Sequence, residues 1–217
     1  FMSAAIELIK IPSSLEKICD YAFCKCKNLR QIIIPVDSKL QIIEKEAFSY
    51  TSIESIIIPQ HVKRIENSVF RYCYQLRRIE FSNNSELQFI GEYAFAFTNI
   101  ENINIPPHIT KICRETFSSC SYLQKIEFAQ NSELQIIENN AFLHTSIKEI
   151  TLPSSLTKVC ECAFERCSRL KKIVFLNGDK PLIIEKLAFC ESIVESISFP
   201  SNLYELQNGC FDKASIL

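Results

Sequence analysis

Residues Cys26–Phe48 read CKNLRQIIIPVDSKLQIIEKEAF, and the apolar positions of this segment recur along the whole chain. The recurrence is clearest in the final phenylalanine, because ten phenylalanines are separated by alternating intervals of 22 and 25 residues. They are Phe1, Phe23, Phe48, Phe70, Phe95, Phe117, Phe142, Phe164, Phe189 and Phe211. A period of about 20 to 50 residues is typical of solenoids and other repeat arrays. The spacing therefore predicts stacked coils, each burying its apolar residues against its neighbours.

Two kinds of coil alternate, and together they span 47 residues. One kind begins at Ile11-Pro12, and the other, beginning at Ile34-Pro35, has two more residues before Leu40. The 47-residue interval is kept by Pro12, Pro59, Pro106, Pro153 and Pro200. Insertions are tolerated in loops, so we expect a regular scaffold with a longer turn in every second coil.

The sequence of each coil predicts two short parallel strands. The segment Leu29–Pro35 ends in alternating, β-branched residues typical of a strand, and the proline ends it because proline cannot donate a ladder hydrogen bond. A second extended piece follows at Leu40–Ile43, and Ala47-Phe48 fits a helical turn or a short helix. The predicted class is therefore an α/β solenoid of about nine coils, stacked about 4.8 Å apart.

Composition excludes several kinds of function. The formal net charge of −1 provides no field that would attract nucleic acid. No apolar run of about 18 residues predicts a membrane span, and the first five residues do not resemble a signal peptide. Only three glycines are present, so no glycine-rich phosphate loop or cofactor is predicted.

Both ends of the chain fall inside a coil, since Phe1 is in register with the other phenylalanines and Leu217 with Leu29. Solenoids need polar caps on their terminal coils, and neither end has one. We therefore expect residues 1–217 to be a single solenoid domain cut from a longer protein. The alternative is a naturally short chain whose ends pair with a partner.

The motif Cys-x-x-Leu-x-x-Ile-x-Ile-Pro-x-x-Leu-x-x-Ile-x-x-x-Ala-Phe, seen from Cys26 to Phe48 and again from Cys120 to Phe142, resembles the BspA-like, or Treponema-type, leucine-rich repeats. The resemblance covers the whole chain. It implies a right-handed leucine-rich-repeat solenoid used for binding, often for adhesion to host proteins or cells. The Asn- and Ser-rich insertion at residues 82–85 looks more like the protist members. A departure is the scarcity of glycine before Ala-Phe, where only Ile90-Gly91 keeps the family pattern.

Eleven cysteines allow disulfides, a metal site, a catalytic thiol or small buried residues. One column, formed by Cys26, Cys73, Cys120 and Cys167, recurs every second coil, about 9.6 Å apart. That separation exceeds the limit of about 7 Å between the Cα atoms of a disulfide. Thr or Ser occupies this column in the coils between, which favours a small side chain that meets backbone inside a turn. No histidine or Cys-x-x-Cys spacing supports a metal site, and no basic partner supports a catalytic thiol.

Exposed strand positions are the first candidate binding surface, because the regular backbone presents them as parallel columns. The candidates are Ile33, Ile57, Arg78, Glu80, Asn102, Asn104, Lys125 and Glu127. The alternative is that their variation is simply unconstrained solvent surface.

A second candidate column lies two residues after the phenylalanines, at Tyr50, Tyr72 and Phe97, since aromatic residues are enriched in binding hot spots. These rings could equally shield the turn beneath them. Asn83-Asn84-Ser85 is the one acceptor sequence for N-glycosylation.

The repeat predicts a non-enzymatic binding module, and the resemblance implies adhesion at the cell surface or outside the cell. The resemblance implies a protein ligand, such as a host cell-surface or matrix protein. The alternative is an intracellular, cytoplasmic scaffold for protein–protein interaction, which the free cysteines favour because oxidising exteriors convert thiols to disulfides. No general acid/base pair or nucleophile set interrupts the repeat, so catalysis is not expected.

Overall fold

A computed structural model describes residues 1–212, and all eighteen strands within them are two to four residues long. In chain order they are β1 (Leu8–Lys10), β2 (Lys17–Ile18), β3 (Gln31–Ile33), β4 (Ile42–Ile43), β5 (Ser55–Ile58), β6 (Arg64–Ile65), β7 (Arg78–Phe81), β8 (Phe89–Ile90), β9 (Asn102–Ile105), β10 (Lys111–Ile112), β11 (Lys125–Phe128), β12 (Ile136–Ile137), β13 (Glu149–Leu152), β14 (Lys158–Val159), β15 (Lys172–Phe175), β16 (Leu182–Ile184), β17 (Ser196–Ser198) and β18 (Leu203–Leu206). Each coil contributes one odd-numbered and one even-numbered strand. The prediction of about nine coils is confirmed.

Each strand pairs in parallel with the equivalent strand of a neighbouring coil. The odd strands form ladders β1-β3-β5-β7-β9-β11 and β13-β15-β17, and the even strands form β2-β4-β6-β8 and β10-β12-β14-β16-β18. Because β11 contacts β13 and β8 contacts β10, each set makes one face whose hydrogen bonding is interrupted once. The register keeps equivalent residues opposite each other, as in Ile103 and Ile126. The exposed residues of the odd strands therefore form straight columns.

The phenylalanines form an internal spine. Neighbouring rings from Phe1 to Phe211 lie 4.9–5.7 Å apart between centroids and within 13° of parallel. The seven from Phe48 to Phe189 are fully buried. Offset stacking at these distances is favourable in addition to the burial of apolar area. Each coil thus contributes one ring to a continuous core.

The prediction of a short helix at the Ala-Phe segment is wrong, because residues 1–212 contain turns there and no helix. In this segment, residues two before and two after the phenylalanine have positive φ, as at Tyr21 (55°) and Lys25 (59°). Their N–H groups, with that of Phe23, donate to carbonyls of the next coil at 2.8–2.9 Å. The N–H groups between them donate three residues back, as from Cys24 to Tyr21 at 3.1 Å. A helix would direct its N–H groups along its own axis, and this third ladder between coils would be lost.

Carboxylates after the even strands link neighbouring coils. Glu185 accepts hydrogen bonds from the Lys158 ammonium (2.7 Å) and from the Glu161 backbone N–H (3.0 Å), both on the preceding coil. Glu44 and Glu138 make the same two contacts with their own preceding coils. These pairs satisfy backbone N–H groups at the edge of the even-strand ladders.

The structural interpretation of the cysteine column is confirmed. The Cys73 thiol donates to the Phe48 carbonyl (3.1 Å) and meets the Thr51 hydroxyl (3.2 Å), and the Cys120 and Cys167 thiols repeat both contacts in later coils. Cys26, Cys73, Cys120 and Cys167 form no disulfide. The thiols therefore serve as small buried groups that bind turn carbonyls.

The position expected for Leu217 lies outside the described residues. That residues 1–217 form one domain of a longer protein stays a prediction.

Candidate protein-binding surface

The odd-strand face brings together six of the residues predicted from the exposed strand columns. Asn102 lies opposite both Arg78 and Lys125, and Asn104 lies opposite Glu127, so β7, β9 and β11 place them side by side. All are exposed, while the residues between them, Ile79, Ile103 and Ile126, are buried. The alternation follows from the two-residue period of a strand.

Two adjoining grooves cross this face. The larger has a volume of about 860 Å³ and spans β7 to β15, and its lining includes Asn104, Lys125 and Glu127. The smaller, of about 460 Å³, contains Arg78, Glu80 and Asn102. Phe81, Asn83 and Asn104 line both grooves. Together the two grooves form a continuous cleft, called here the strand-face groove.

The longer turns predicted for every second coil line one side of the groove. They are residues 82–85 and 129–132, which follow β7 and β11. A serine fixes each turn, since the hydroxyls of Ser85 and Ser132 accept hydrogen bonds at 3.3 Å from the N–H groups of Leu87 and Leu134. Side chain to backbone bonds of this kind are typical of ordered turns. The insertion therefore builds a rim beside the strand columns.

The groove contains charges of both signs. Lys125 pairs with Glu127 at 2.6 Å and Arg78 with Glu80 at 3.9 Å, all four side chains being at least half exposed. Exposed pairs are weak, because solvent screens them, so a partner can replace them at little cost. Asn102 and Asn104 lie between these two ion pairs. Among the described residues, neither side-chain amide makes a hydrogen bond, which leaves both amides available to a ligand.

The two predicted isoleucines lie beside the groove. The side chain of Ile57 lies opposite Glu80, and Ile57 and Ile33 are 62% and 37% exposed. Since Gln31 pairs with Ser55, the two isoleucines occupy the same column on neighbouring strands. They extend the face toward β1 as a small apolar patch, and neither lines the groove.

The aromatic column lies on the turn side, away from the strand face. Tyr72 stacks between Tyr50 (4.5 Å) and Phe97 (4.8 Å), and the Arg71 guanidinium lies 4.7 Å from the Tyr72 ring centroid. Burial raises the pKa of Tyr50 above its usual value. The rings contact one another extensively, and the structure does not bring them together with the strand-column residues.

Asn83 is exposed in the turn after β7, at the junction of the two grooves. A glycan there would lie over the proposed binding surface.

Sequence reasoning missed the apolar part of the groove. Phe81 and Phe128 are only partly buried and line it, as do Pro107 and Leu176. The available signal was that phenylalanine replaces isoleucine or leucine at the last strand position in alternate coils. An apolar residue at that position is expected to be buried in the core, so the exposed part of each ring was not predicted.

No group of three or more His, Cys, Asp and Glu side chains within residues 1–212 could hold a metal ion. His61 and His108 are exposed and contact Glu86 (3.0 Å) and Glu133 (2.9 Å) on the next coils. In the same part of the chain, no helix has the length and apolar character needed to cross a bilayer.

Two sets of parallel strands that repeat every 22 to 25 residues around one continuous core define a leucine-rich-repeat solenoid. The family described as BspA type leucine rich repeat region, in six copies, matches residues 1–124 and 88–217, and the chain belongs to this family. The resemblance inferred from the motifs is thereby confirmed.

Solved structures that are similar to the chain include these two. The pneumococcal vaccine antigen PcpA is 25% identical over 91% of this chain, with a TM-score of 0.67, and the chain spans only 51% of that structure. A leucine-rich repeat protein from Bacteroides ovatus is 19% identical, with a TM-score of 0.60, covering 97% of this chain and 78% of the other. The second likeness concerns the fold alone. No protein of curated function matches the chain significantly.

Proposed function

We propose that the chain is a non-enzymatic protein-binding module and that the strand-face groove is its binding surface. The observation that carries this proposal is the groove itself, where exposed charges, unpaired amides and half-buried rings converge on a rigid strand scaffold. Binding surfaces of this kind combine apolar anchors with polar groups that fix orientation. Ile33 and Ile57 extend the proposed surface as an apolar margin.

We assign the aromatic column a packing role instead. Tyr50, Tyr72 and Phe97 use their faces to stack on one another, which leaves mainly ring edges for a partner. The strand face presents more free polar groups and a defined cleft. The two surfaces can be tested separately because they lie on different sides of each coil.

The partner that we propose is a host cell-surface or matrix protein, bound by a module exposed on the cell. The family and the likeness to the pneumococcal vaccine antigen support this location, since an antigen is accessible to antibodies. Antibodies raised against the chain should stain intact, unpermeabilised cells of the organism that produces it. Staining only after permeabilisation would contradict a surface location.

An intracellular scaffold is the second candidate, and the free thiols of the column Cys26, Cys73, Cys120 and Cys167 favour it. Nine of the eleven thiols are buried, however, and burial protects a thiol from oxidation. The same staining experiment separates the two candidates, because a scaffold would be detected only inside the cell.

Binding is tested by measuring how much purified chain is retained on host cells and on immobilised matrix proteins. A strand-face variant, Arg78→Glu with Lys125→Glu, reverses two groove charges, and we expect retention to fall at least about tenfold, as for a loss of about 1.4 kcal/mol. A turn-side variant, Tyr50→Ser with Tyr72→Ser, should keep full retention. Tyr122→Ser, at an exposed position outside both surfaces, is the matched control. Equal retention of the strand-face variant and the unchanged chain refutes the assignment of this surface.

A further inference from the structure

The chemistry of the strand-face groove repeats every second coil. Arg78, Glu80 and Phe81 in β7 are followed 47 residues later by Lys125, Glu127 and Phe128 at the same positions of β11. The strand between them has Asn102, Asn104 and Ile105, which lie directly opposite the β11 residues. A ligand that lies along the solenoid axis therefore meets a cation, an anion and an aromatic ring once every two coils.

The distance between these repeats selects the conformation of the ligand. Neighbouring parallel strands are about 4.8 Å apart, so two coils advance by about 9.6 Å. A polyproline II helix has three residues per turn and rises about 3.1 Å per residue, so the same face returns every ~9.3 Å. An α-helical heptad advances about 10.5 Å. In a β-strand, side chains point to the same face every two residues, or every ~6.7 Å. Residues three apart in a strand therefore lie on opposite faces. Polyproline II matches best, with a mismatch of about 0.3 Å per repeat.

The residue types of the groove suit such a ligand as well. Phe81 and Phe128 are partly buried, which holds them in place, and the part that remains exposed lines the groove. Aromatic-lined grooves are the usual docking sites of proline-rich segments, because a proline ring packs well on an aromatic ring. A polyproline II backbone has no internal hydrogen bonds. The amides of Asn102 and Asn104 can donate to its carbonyl groups.

Charge complementarity limits the length of the site. Arg78 and Lys125 form a cationic row, and Glu80 and Glu127 form an anionic row beside it, both running along the solenoid axis. Beyond β11 the cationic row is interrupted by Glu149, and Val174 takes the place of the next acidic residue. The full pattern therefore extends from β7 to β11, an advance of about 9.6 Å or one polyproline II turn, so two consecutive three-residue repeats of the ligand can each meet one set of side chains.

We propose that the strand-face groove between β7 and β11 binds a proline-rich segment in polyproline II conformation, running along the solenoid axis. Every third residue is a proline over Phe81 or Phe128, and the other two positions carry an acidic residue toward the cationic row and a basic residue toward the anionic row. This inference rests on the proposed function, protein binding by the strand face, and specifies what part of a partner is bound.

The test uses labelled synthetic peptides and the full 217-residue chain, with binding measured by fluorescence polarisation. The probe is six repeats of Pro-Lys-Glu, and six repeats of Pro-Glu-Lys are measured beside it because the direction of the bound peptide decides which order fits. We expect saturable binding of one of the two. Six repeats of Gly-Lys-Glu form the first control peptide, which keeps the charges and removes the polyproline II preference. A Pro-Pro-Lys-Glu repeat forms the second, which keeps the preference and spaces like charges about 12.4 Å apart. Both should bind at least about tenfold more weakly.

The matched variant is Phe81→Leu with Phe128→Leu. Leucine is compatible with the fold at this position, because Leu152 occupies it in β13. We expect at least fivefold weaker binding of the proline peptide with an unchanged melting temperature, whereas the Tyr122→Ser control should bind normally. Equal binding of the glycine and proline peptides, or full binding by the leucine variant, overturns the proposal.

The peptide result and the retention result are separable. If neither proline peptide binds while Arg78→Glu with Lys125→Glu reduces retention on matrix proteins, the polyproline inference is wrong and the proposed function stands. If a proline peptide binds and retention is insensitive to those charges, the peptide site stands, and the assignment of host-cell or matrix-protein binding to the strand face is wrong.

Discussion

The positive-φ residues of the turn ladder provide a direct measure of backbone strain. Seventeen non-glycine residues among those described have positive φ, and Ser119, at 59°, is one of them. An L-residue in this region costs about 1–2 kcal/mol relative to the right-handed region. Ser119→Gly removes that strain but adds the flexibility of glycine to the unfolded chain, which costs about 0.4–1 kcal/mol. We expect a net stabilisation of about 0.5 kcal/mol.

Ser121→Gly is the matched control, because Ser121 is exposed two residues further along, in the next turn, and its φ is not positive. Both variants change the unfolded chain equally, so the difference between their free energies of unfolding isolates the strain. We expect that difference to be about 1–2 kcal/mol in favour of Ser119→Gly. For a chain of this size it corresponds to a separation of about 2–8 °C in melting temperature.

The assay is urea unfolding followed by circular dichroism, with calorimetry for the melting temperatures. Lys25→Gly and Lys27→Gly repeat the comparison in an early coil, since only Lys25 has positive φ. If the two members of each pair are destabilised to the same extent, the turn residues are not strained and the explanation given for the absent helix is wrong.

Three further predictions concern the spine, one inter-coil carboxylate and the thiols. Phe117→Ala should lower the free energy of unfolding by about 3–5 kcal/mol, because the ring is fully buried between its neighbours at 5.5 and 5.4 Å; a urea midpoint equal to that of Phe117→Leu would contradict this. Burial alone would raise the pKa of Glu185, but the hydrogen bonds from Lys158 and from the Glu161 N–H hold it below its usual value. Its stabilisation is therefore present above the unfolded pKa of about 4.3 and is lost as pH falls through the folded pKa. The stability difference between about pH 7 and about pH 3 should consequently be smaller in Glu185→Gln, and an unchanged difference would argue against the carboxylate link. Burial raises the pKa of the Cys73 and Cys120 thiols to about 11. Iodoacetamide should therefore label exposed Cys19 first, as measured by mass spectrometry. Equal labelling of all three cysteines before unfolding would count against burial.

The sequence is sufficient to predict the coil period, the strands and the core, because each depends on contacts that repeat in every coil. The phenylalanine intervals place every ring of the spine, and the Ile-x-Ile pattern locates strands such as β5 and β9 within a residue. Apolar periodicity of this kind is a strong signal for buried positions.

The turn conformation was not predictable in the same way. Residues such as Tyr21 and Glu46 do not favour positive φ, and local propensity gives no sign of it. The conformation is selected by hydrogen bonds to the next coil, as from Glu46 to Asn67 at 3.0 Å, which exist only after the coils stack. This is a case in which tertiary contacts override local preference.

The strand columns of the candidate site were predictable, but the groove was not. Asn104, Lys125 and Glu127 follow from strand alternation, whereas the exposure of Phe81 and Phe128 depends on how the longer turns stand beside them. The role of all these residues in binding stays a prediction.

The turn ladder also gives the solenoid an electrical polarity. The N–H group of every phenylalanine from Phe23 to Phe189 donates to the coil that follows it, at 2.7–3.0 Å, and never to the coil before. In the strand ladders the hydrogen bonds alternate in direction, so the peptide dipoles largely cancel. In the turn ladder the peptide groups are aligned, and their dipoles of about 3.5 D each add together as they do in an α-helix. The turn edge is therefore a macrodipole whose positive end points toward the C-terminal coils, opposite to the polarity of a helix. In a longer array, the N–H groups at this positive end would be stabilised best by a carboxylate placed over them.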